Sequence, residues 1–396
     1  MNGKKVQETE VVSLLQKLIR QRSYSGEEEG AVRILKTFFE ENGFDEAVTD
    51  RMGNVIGVIN GDQPGPSVLF DGHIDTVPVQ DPASWKHDPF GAEIEDGRIY
   101  GRGTSDMKGA VAAMSTAAAA FRKENGGHFA GRVLVAGVVH EECFEGVAAR
   151  EISRAFRPDL VVIGEASELN LKIGQRGRME IKVETLGKPA HSSNPEKGNN
   201  AVYSMCRVIG ALRELPVPEN ELLGKGIMEL TDIRSDPYPG ASVVPERCVV
   251  TYDRRLLTGE TAESVLAPVQ ETLDRLASED PRIKARAYVA KGHETCYTGA
   301  EISDRRFFPA WQYSPEDAFV SRIYRALVES DLLQPELTHY SFCTNGSHYA
   351  GEAHIPTVGF GPSRENLAHT IDEYVPLSDL IAAEDGYLRI MREMLR

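Results

Sequence analysis

The sequence is short of several features that would place it in large functional classes. Cysteine is scarce: the five in 396 residues (Cys143, Cys206, Cys248, Cys296, Cys343) are odd in number, widely spread and never paired as Cys-x-x-Cys. Neither a disulfide framework nor a thiolate zinc site is indicated, and a reducing compartment fits. Positive charge is also in deficit, with 44 Lys plus Arg against 60 Asp plus Glu and a net charge of -16. That field repels a phosphate backbone, so no nucleic-acid partner is expected; solubility accounts for most of the acidity. Long apolar runs are missing: the Ala-rich stretch from Gly109 to Phe121 is too short to span a bilayer, and the polar start from Met1 to Glu10 has no signal-peptide core. A cytoplasmic protein with no membrane partner is the expectation. Internal repeats and low-complexity tracts are absent. The glycines of Gly101-Arg102-Gly103-Thr104-Ser105-Asp106-Met107-Lys108-Gly109 satisfy neither nucleotide-loop signature.

What is present is a chain long enough for two domains. Apolar residues at Val11, Val12, Leu15, Leu18 and Ile19, and at Ala31, Ile34, Leu35, Phe38 and Phe39, recur at helical spacing. Short β-rich runs follow at Val55 to Ile59 and Val68 to Phe70, then a long helix after Gly109 and strands at Arg132 to Val139 and Leu160 to Ile163. Near Gly177 the pattern changes to the apolar and polar alternation of a strand with one wet face. From there the order is β-α-β-β-α-β, the split-βαβ arrangement, ending at Lys291-Gly292. The remainder resumes with a helix from Pro315 to Glu329, a β-like run from Ile355 to Phe360 and a helix from Leu377. The expected architecture is a mixed-sheet α/β/α domain (1–176 and 293–396) interrupted by a ferredoxin-like α+β domain (177–292).

Chemistry-bearing residues collect at the strand exits. His73 closes the run Ser67 to Phe70-Asp71-Gly72, and Asp75 lies two residues on, placed to reach the imidazole nitrogen that does not hold a metal. Glu141 and Glu142 follow one strand, Glu165 follows another, and Asp106 sits where the glycine loop enters a helix. Converging carboxyl ends of a sheet make one crevice of such residues. Two divalent ions would be balanced by Asp106, Glu142, Glu165 and a bridging hydroxide, with neutral histidines completing the shells. Adjacent Glu141 and Glu142, on an extended exit, point different ways, so that one binds metal and the other faces water.

The motifs Gly72-His73-Ile74-Asp75-Thr76-Val77-Pro78, Gly101 to Gly109, Glu141-Glu142, Gly164-Glu165 and Leu367-Ala368-His369-Thr370 with Glu373 together resemble the M20 metallopeptidase family of deacylases, desuccinylases and dipeptidases. Arg176 to Ile181, Gly224-Lys225-Gly226, Asp253 to Leu256 and Thr344-Asn345-Gly346 further resemble the branch labelled selenium-metabolism-linked hydrolases. The resemblance implies a zinc-peptidase catalytic domain carrying two zinc ions per chain, with cobalt or manganese able to substitute. It implies Asp106 as the bridging ligand, His73 and Glu165 on one ion, Glu142 and His369 on the other, Glu141 as general base and Asp75 as orienter. It further implies His191 reaching the substrate carbonyl from its own or a neighbouring subunit, and Arg255 and Asn345 at the substrate. The inserted domain would be a lid and a homodimer surface. The implied reaction is hydrolysis of an amide in a small peptide or N-acyl amino acid; an N-carbamoyl amidohydrolase and a non-catalytic metal-binding homologue are the alternatives. Two departures stand out, Ala166-Ser167 after Glu165 and Ser363 where Gly is commoner.

Overall fold

The structure, a computed structural model, describes residues 9–396; most of the polar start read above for a targeting signal lies outside them. The chain forms two compact units, one from Gln175 and the chain before it together with His293–Asp304 and Trp311–Arg396, the other from Arg176–Gly292 and Arg305–Ala310.

The first unit is built on a nine-stranded mixed sheet. Its main path runs Glu46–Thr49, Val55–Asn60, Ala130–Val138, Gln63–His73, Leu160–Ile163, Thr357–Gly359, Leu171–Gln175, Trp311–Gln312. The centre is parallel: Gln63–His73 lies between Ala130–Val138 and Leu160–Ile163 and runs with both. These strands read as continuous apolar runs because both faces are covered. Gly72 faces the helix Lys108–Asn125 so closely that a Cβ there would lie 2.7 Å from Val111 Cγ2. Phe70, on the same face, packs edge-on against Tyr387 of the helix Leu377–Met394. Asp71, one residue out of phase, meets Asn345 and Tyr349 on the other face. That alternation gives the α/β/α layering expected from the sequence.

Several boundaries differ from the expectation for local reasons. The run Ile355 to Phe360 is a strand only over Thr357–Gly359, since Pro356 has no N–H to give the ladder. The helix expected from Pro315 starts at Ala318, after a turn in which Ser314 N–H donates to the Asp317 carboxylate at 2.8 Å. The helix Ala149–Phe156, the strand Leu171–Gln175 and a π-helical turn at Ser347–Glu352 carry too short a period to have been read.

The second unit has a sheet ordered Ile227–Asp236, Arg247–Leu256, Gly177–Leu186, Lys284–Val289, antiparallel throughout. Alternate residues Met179, Ile181 and Val183 face a core shared with the helices Ala201–Leu212 and Ala262–Glu279. Asn200 caps the first helix, and Thr261 with Ser264 forms a reciprocal capping box on the second. This is the β-α-β-β-α-β order read from the sequence. No helix among the described residues is long and apolar enough to cross a membrane.

Helix Ala149–Phe156 is tied to the π-helical turn by side chains. His348 Nε2 is 2.7 Å from Ser153 Oγ, and its Nδ1 is 2.8 Å from Glu352. Arg150 adds bonds of 2.9 and 2.7 Å to the same carboxylate. Burial opposes ionisation of Glu352, but His348 and Arg150 outweigh it and hold the group at about 2, below its ordinary 4.5. A depressed carboxylate pKa stabilises the fold above the unfolded value and loses that contribution as pH falls toward the folded one. With the carboxylate partly exposed, Glu352→Gln should cost ~1–2 kcal/mol at pH 7. The gap between the urea midpoints of the two proteins should hold from pH 7 to about 4.5 and narrow as pH falls from there toward 2; a gap independent of pH would refute the electrostatic origin.

Candidate metal centre

The parallel centre of the first unit's sheet explains why distant residues meet. His73 ends the middle strand, Glu141 and Glu142 follow the strand on one side, and Glu165 follows the strand on the other. Asp106 enters from the loop that precedes the helix Lys108–Asn125. His369 arrives after a 3-10 turn, with φ of 61° and half its side chain exposed.

His73 Nε2 lies 2.8 Å from Asp106 Oδ1, while His369 Nε2 lies 3.0 Å from Asp106 Oδ2 and 3.0 Å from Glu142 Oε2. One carboxylate thus spans two imidazoles, each oxygen facing a different ring. Glu165 Oε1 is 3.5 Å and Glu141 Oε2 3.9 Å from His73 Nε2. Two donor groups, His73 with Asp106 and Glu142 and His73 with Glu141 and Glu165, each fall within 4.8 Å.

Without cations the cluster is electrostatically costly. Burial, with mutual repulsion, pushes Glu141 and Glu165 well above the usual carboxylate range. Burial opposes ionisation of Asp106 as well, but hydrogen bonds from His369 and His73 hold it low. Hydrogen bonds to Asp106 and Glu142 raise His369 to about 10. Glu141 Oε1 and Glu142 Oε1 are buried with no hydrogen-bond partner. Buried anionic oxygens left unpaired are costly, and an oxygen and imidazole donor set free of thiolates suits divalent ions. These residues fit the implied metals.

Two details differ from the sequence reading. The second nitrogen of His73 donates to the main-chain carbonyl of Asp75 at 2.8 Å, whereas the Asp75 carboxylate is 3.7 Å away. That carboxylate turns instead to the neighbouring loop, accepting the N–H of Glu141 at 3.0 Å on Oδ1 and of Glu142 at 3.2 Å on Oδ2. The second detail is the loop itself: His140 has φ of 55°, so Glu141 and Glu142 sit in a turn, and the turn rather than an extended exit separates them.

Ser25, which sequence reasoning passed over, donates its hydroxyl to Asp75 Oδ2 at 2.7 Å. Only its place in a polar turn between two amphipathic helices could have flagged it. Asn345 is buried, its amide spent on Asp71 Oδ1 at 2.9 Å and on the N–H of Gly146 at 2.8 Å. Ser363 adopts φ of 68° and receives the Ser105 hydroxyl at 2.7 Å, so it serves the fold of the Asp106 loop. In the second unit, Arg255 Nε pairs with Asp253 at 2.8 Å, and His191 is exposed with Nδ1 accepting from the N–H of Ser193 at 3.1 Å.

Residues 69–393 match the family described as Peptidase family M20/M25/M40. The chain belongs to this peptidase family. The YgeY protein of Escherichia coli (strain K12) is 33% identical over 390 residues, covering 97% of this chain and 94% of that one. Succinyl-diaminopimelate desuccinylase 2 of Ruegeria sp. (strain TM1040) is 30% identical, covering 96% and 94%. Among solved structures, the YXEP protein of Bacillus subtilis, described as a dinuclear metal binding peptidase of family M20, superposes with a TM-score of 0.70. Its identity is 14%, with 98% of each chain covered. The family makes this chain a metal-dependent hydrolase and accounts for the donor cluster at the sheet's carboxyl edge.

Asp75 therefore has two separable jobs, a carbonyl for His73 and a carboxylate for the Glu141–Glu142 turn. Asp75→Asn keeps the carbonyl but sets an amide N–H₂ against one of the two main-chain N–H groups. Turnover should fall about 10-fold to 100-fold, the usual range for an outer partner of a metal site, with metal content per chain retained. Elemental analysis beside kcat checks this; loss of metal in proportion to activity would return the carboxylate to His73.

Proposed function

We propose that the chain is a two-metal amidohydrolase that cleaves the amide bond of a small peptide or an N-acyl amino acid. The observation that carries the proposal is Asp106, whose two carboxylate oxygens face His73 and His369 separately at 2.8 and 3.0 Å. His73 and Glu165 would hold one ion, Glu142 and His369 the other, with Asp106 shared. Imidazole and carboxylate donors without thiolate favour zinc, with cobalt or manganese as substitutes. Bound there, the ions supply a water of pKa about 7 and a Lewis acid for the scissile carbonyl.

Glu141 is the proton carrier in this reading. Burial raises its pKa in the ion-free cluster, and neighbouring cations would lower it again, leaving a carboxylate ready to accept a proton. Its unpartnered Oε1 takes the proton of the attacking water and returns it to the departing nitrogen. His191 supplies a donor for the developing oxyanion, since an acceptor Nδ1 leaves the proton on Nε2. Arg255 meets the substrate's carboxylate. The desuccinylase relative supports an acyl-amino-acid substrate and the peptidase neighbour a short peptide.

Purified protein reconstituted with zinc should bind two ions per chain and hydrolyse members of a panel of dipeptides and N-acetyl, N-succinyl and N-carbamoyl amino acids. Glu141→Gln should keep both ions and lose about 10²-fold to 10⁴-fold in kcat. Near-normal kcat in that variant would move the base elsewhere, and background metal in the parent would remove the two-ion reading.

The second unit presents the strand Ile227–Asp236 at a sheet edge, with Ile227 and Ile233 exposed. An open edge with exposed apolar side chains supports pairing with a second copy. We expect a homodimer in light scattering, and His191→Ala should lower kcat about 10²-fold to 10³-fold with metal content unchanged. Partial recovery on mixing His191→Ala with Glu141→Gln would mean that the histidine works across the interface. A monomer with full activity excludes that arrangement, and an active His191→Ala protein excludes the role.

A further inference from the structure

The loop that carries Asp106 resembles, in its glycines, a loop built to bind an anion. Gly101 and Gly103 have φ of 148° and 90°, and a Cβ on Gly103 would lie 2.8 Å from Thr76 Cγ2. The backbone N–H groups of Gly103, Ser105 and Asp106 converge on one point. What sits there is the chain's own Glu373: its Oε1 accepts from Gly103 at 3.1 Å, Ser105 at 2.8 Å and Asp106 at 3.1 Å. Its Oε2 takes Arg102 Nη1 at 2.5 Å. Both partners of that ion pair are buried, Glu373 completely. A concavity of successive N–H groups is an anion nest, here filled internally.

The backbone on either side of Glu373 is tied to the same region. The Gly101 N–H donates to the Glu373 carbonyl at 2.9 Å, and the strand Tyr374–Pro376 pairs antiparallel with Arg98–Tyr100. Asp372 accepts the N–H groups of Lys86 and His87 at 2.8 and 3.1 Å. Glu373 is four residues from His369 and some 270 from the Asp106 loop it grips. It therefore stands between the two ligand-bearing loops whose side chains meet at Asp106 Oδ2 and His369 Nε2.

We propose that Glu373 is a positioning residue that fixes the Asp106 loop against the His369 loop, and so sets the affinity of the ion site formed by Asp106, Glu142 and His369. The inference rests on the two-ion reading above. The ion of His73 and Glu165 shares Asp106 but depends less on Glu373, because its other two ligands are held independently, His73 through the Asp75 carbonyl and Glu165 at the end of its own strand, whereas the second ion relies on both loops that Glu373 joins. Loss of Glu373 should thus separate the two affinities rather than lower both equally.

Two variants test it, with the parent protein titrated alongside so that failure of the two-ion reading shows in the parent alone. Glu373→Ala empties the nest. Glu373→Asp keeps a charge for Arg102 but withdraws the oxygens by one methylene from the three N–H groups, and it carries the test if the alanine variant does not fold. Ion-free protein is titrated with Co²⁺ and followed by absorption and calorimetry. The expected result is one ion weakened about 10-fold to 100-fold, the range usual for residues behind a metal ligand, and the other weakened clearly less. Added formate or acetate should restore the weaker site in Glu373→Ala by refilling the nest. Unchanged affinities for both ions overturn the proposal. Equal weakening of both, with no recovery on adding carboxylate, also overturns it by reducing Glu373 to a general stability role.

Discussion

Four carboxylates, Asp106, Glu141, Glu142 and Glu165, are gathered with two imidazoles at the carboxyl ends of three neighbouring parallel strands, and most of the first unit serves to keep them there. Left alone, such groups repel one another, and burial pushes Glu141 and Glu165 well above the usual carboxylate range. A chain folds this way only if the packing behind the cluster is strong enough to impose it. That packing is the apolar centre of the sheet, Val68, Leu69, Phe70, Val133, Leu134, Val135, Val161 and Val162, every one of them inaccessible to solvent. Stability is generated one layer away from the charges, where it costs the site nothing in geometry.

The charges are then aimed by a second set of carboxylates that point at main-chain N–H groups. Asp75 receives the N–H groups of Glu141 and Glu142, and Glu373 those of Gly103, Ser105 and Asp106. In both cases the carboxylate fixes the backbone of a loop and leaves the ligand side chain free to face inward. Carboxylates hydrogen-bonded by N–H groups are strong, short-range constraints, and each is backed in turn, Asp75 by the Ser25 hydroxyl and Glu373 by the Arg102 guanidinium. Asp71 extends the pattern under His73, receiving Asn345 and Tyr349 on its two oxygens.

Much of this was legible in the sequence, and the boundary of what was legible has a physical cause. Apolar runs ending in His73, Glu141-Glu142 and Glu165 announce parallel strands with polar exits, because a doubly covered strand must be apolar until it leaves the sheet. The alternation at Met179, Ile181 and Val183 announced the second sheet in the same way. What stayed hidden were contacts between loops. The 3.7 Å that separates the Asp75 carboxylate from His73 depends on a turn begun by the positive φ of His140, and nothing in His-Glu-Glu signals that turn. The partnership of Glu373 with the Asp106 loop joins segments some 270 residues apart, so no local period could carry it.

The second unit follows a different rule from the first. Its sheet face away from the helices is laced with ion pairs: Asp253 accepts from Arg178 Nε at 2.8 Å and from Arg255 Nε at 2.8 Å, and Arg178 reaches Glu180 at 2.7 Å. Partly exposed pairs of this kind add little to stability. Each does hold a guanidinium group that would otherwise rotate more freely, Arg255 through its Nε. A sheet face whose pairs contribute little to folding can exchange its charges without disturbing the core that Met179, Ile181 and Val183 form on the opposite face.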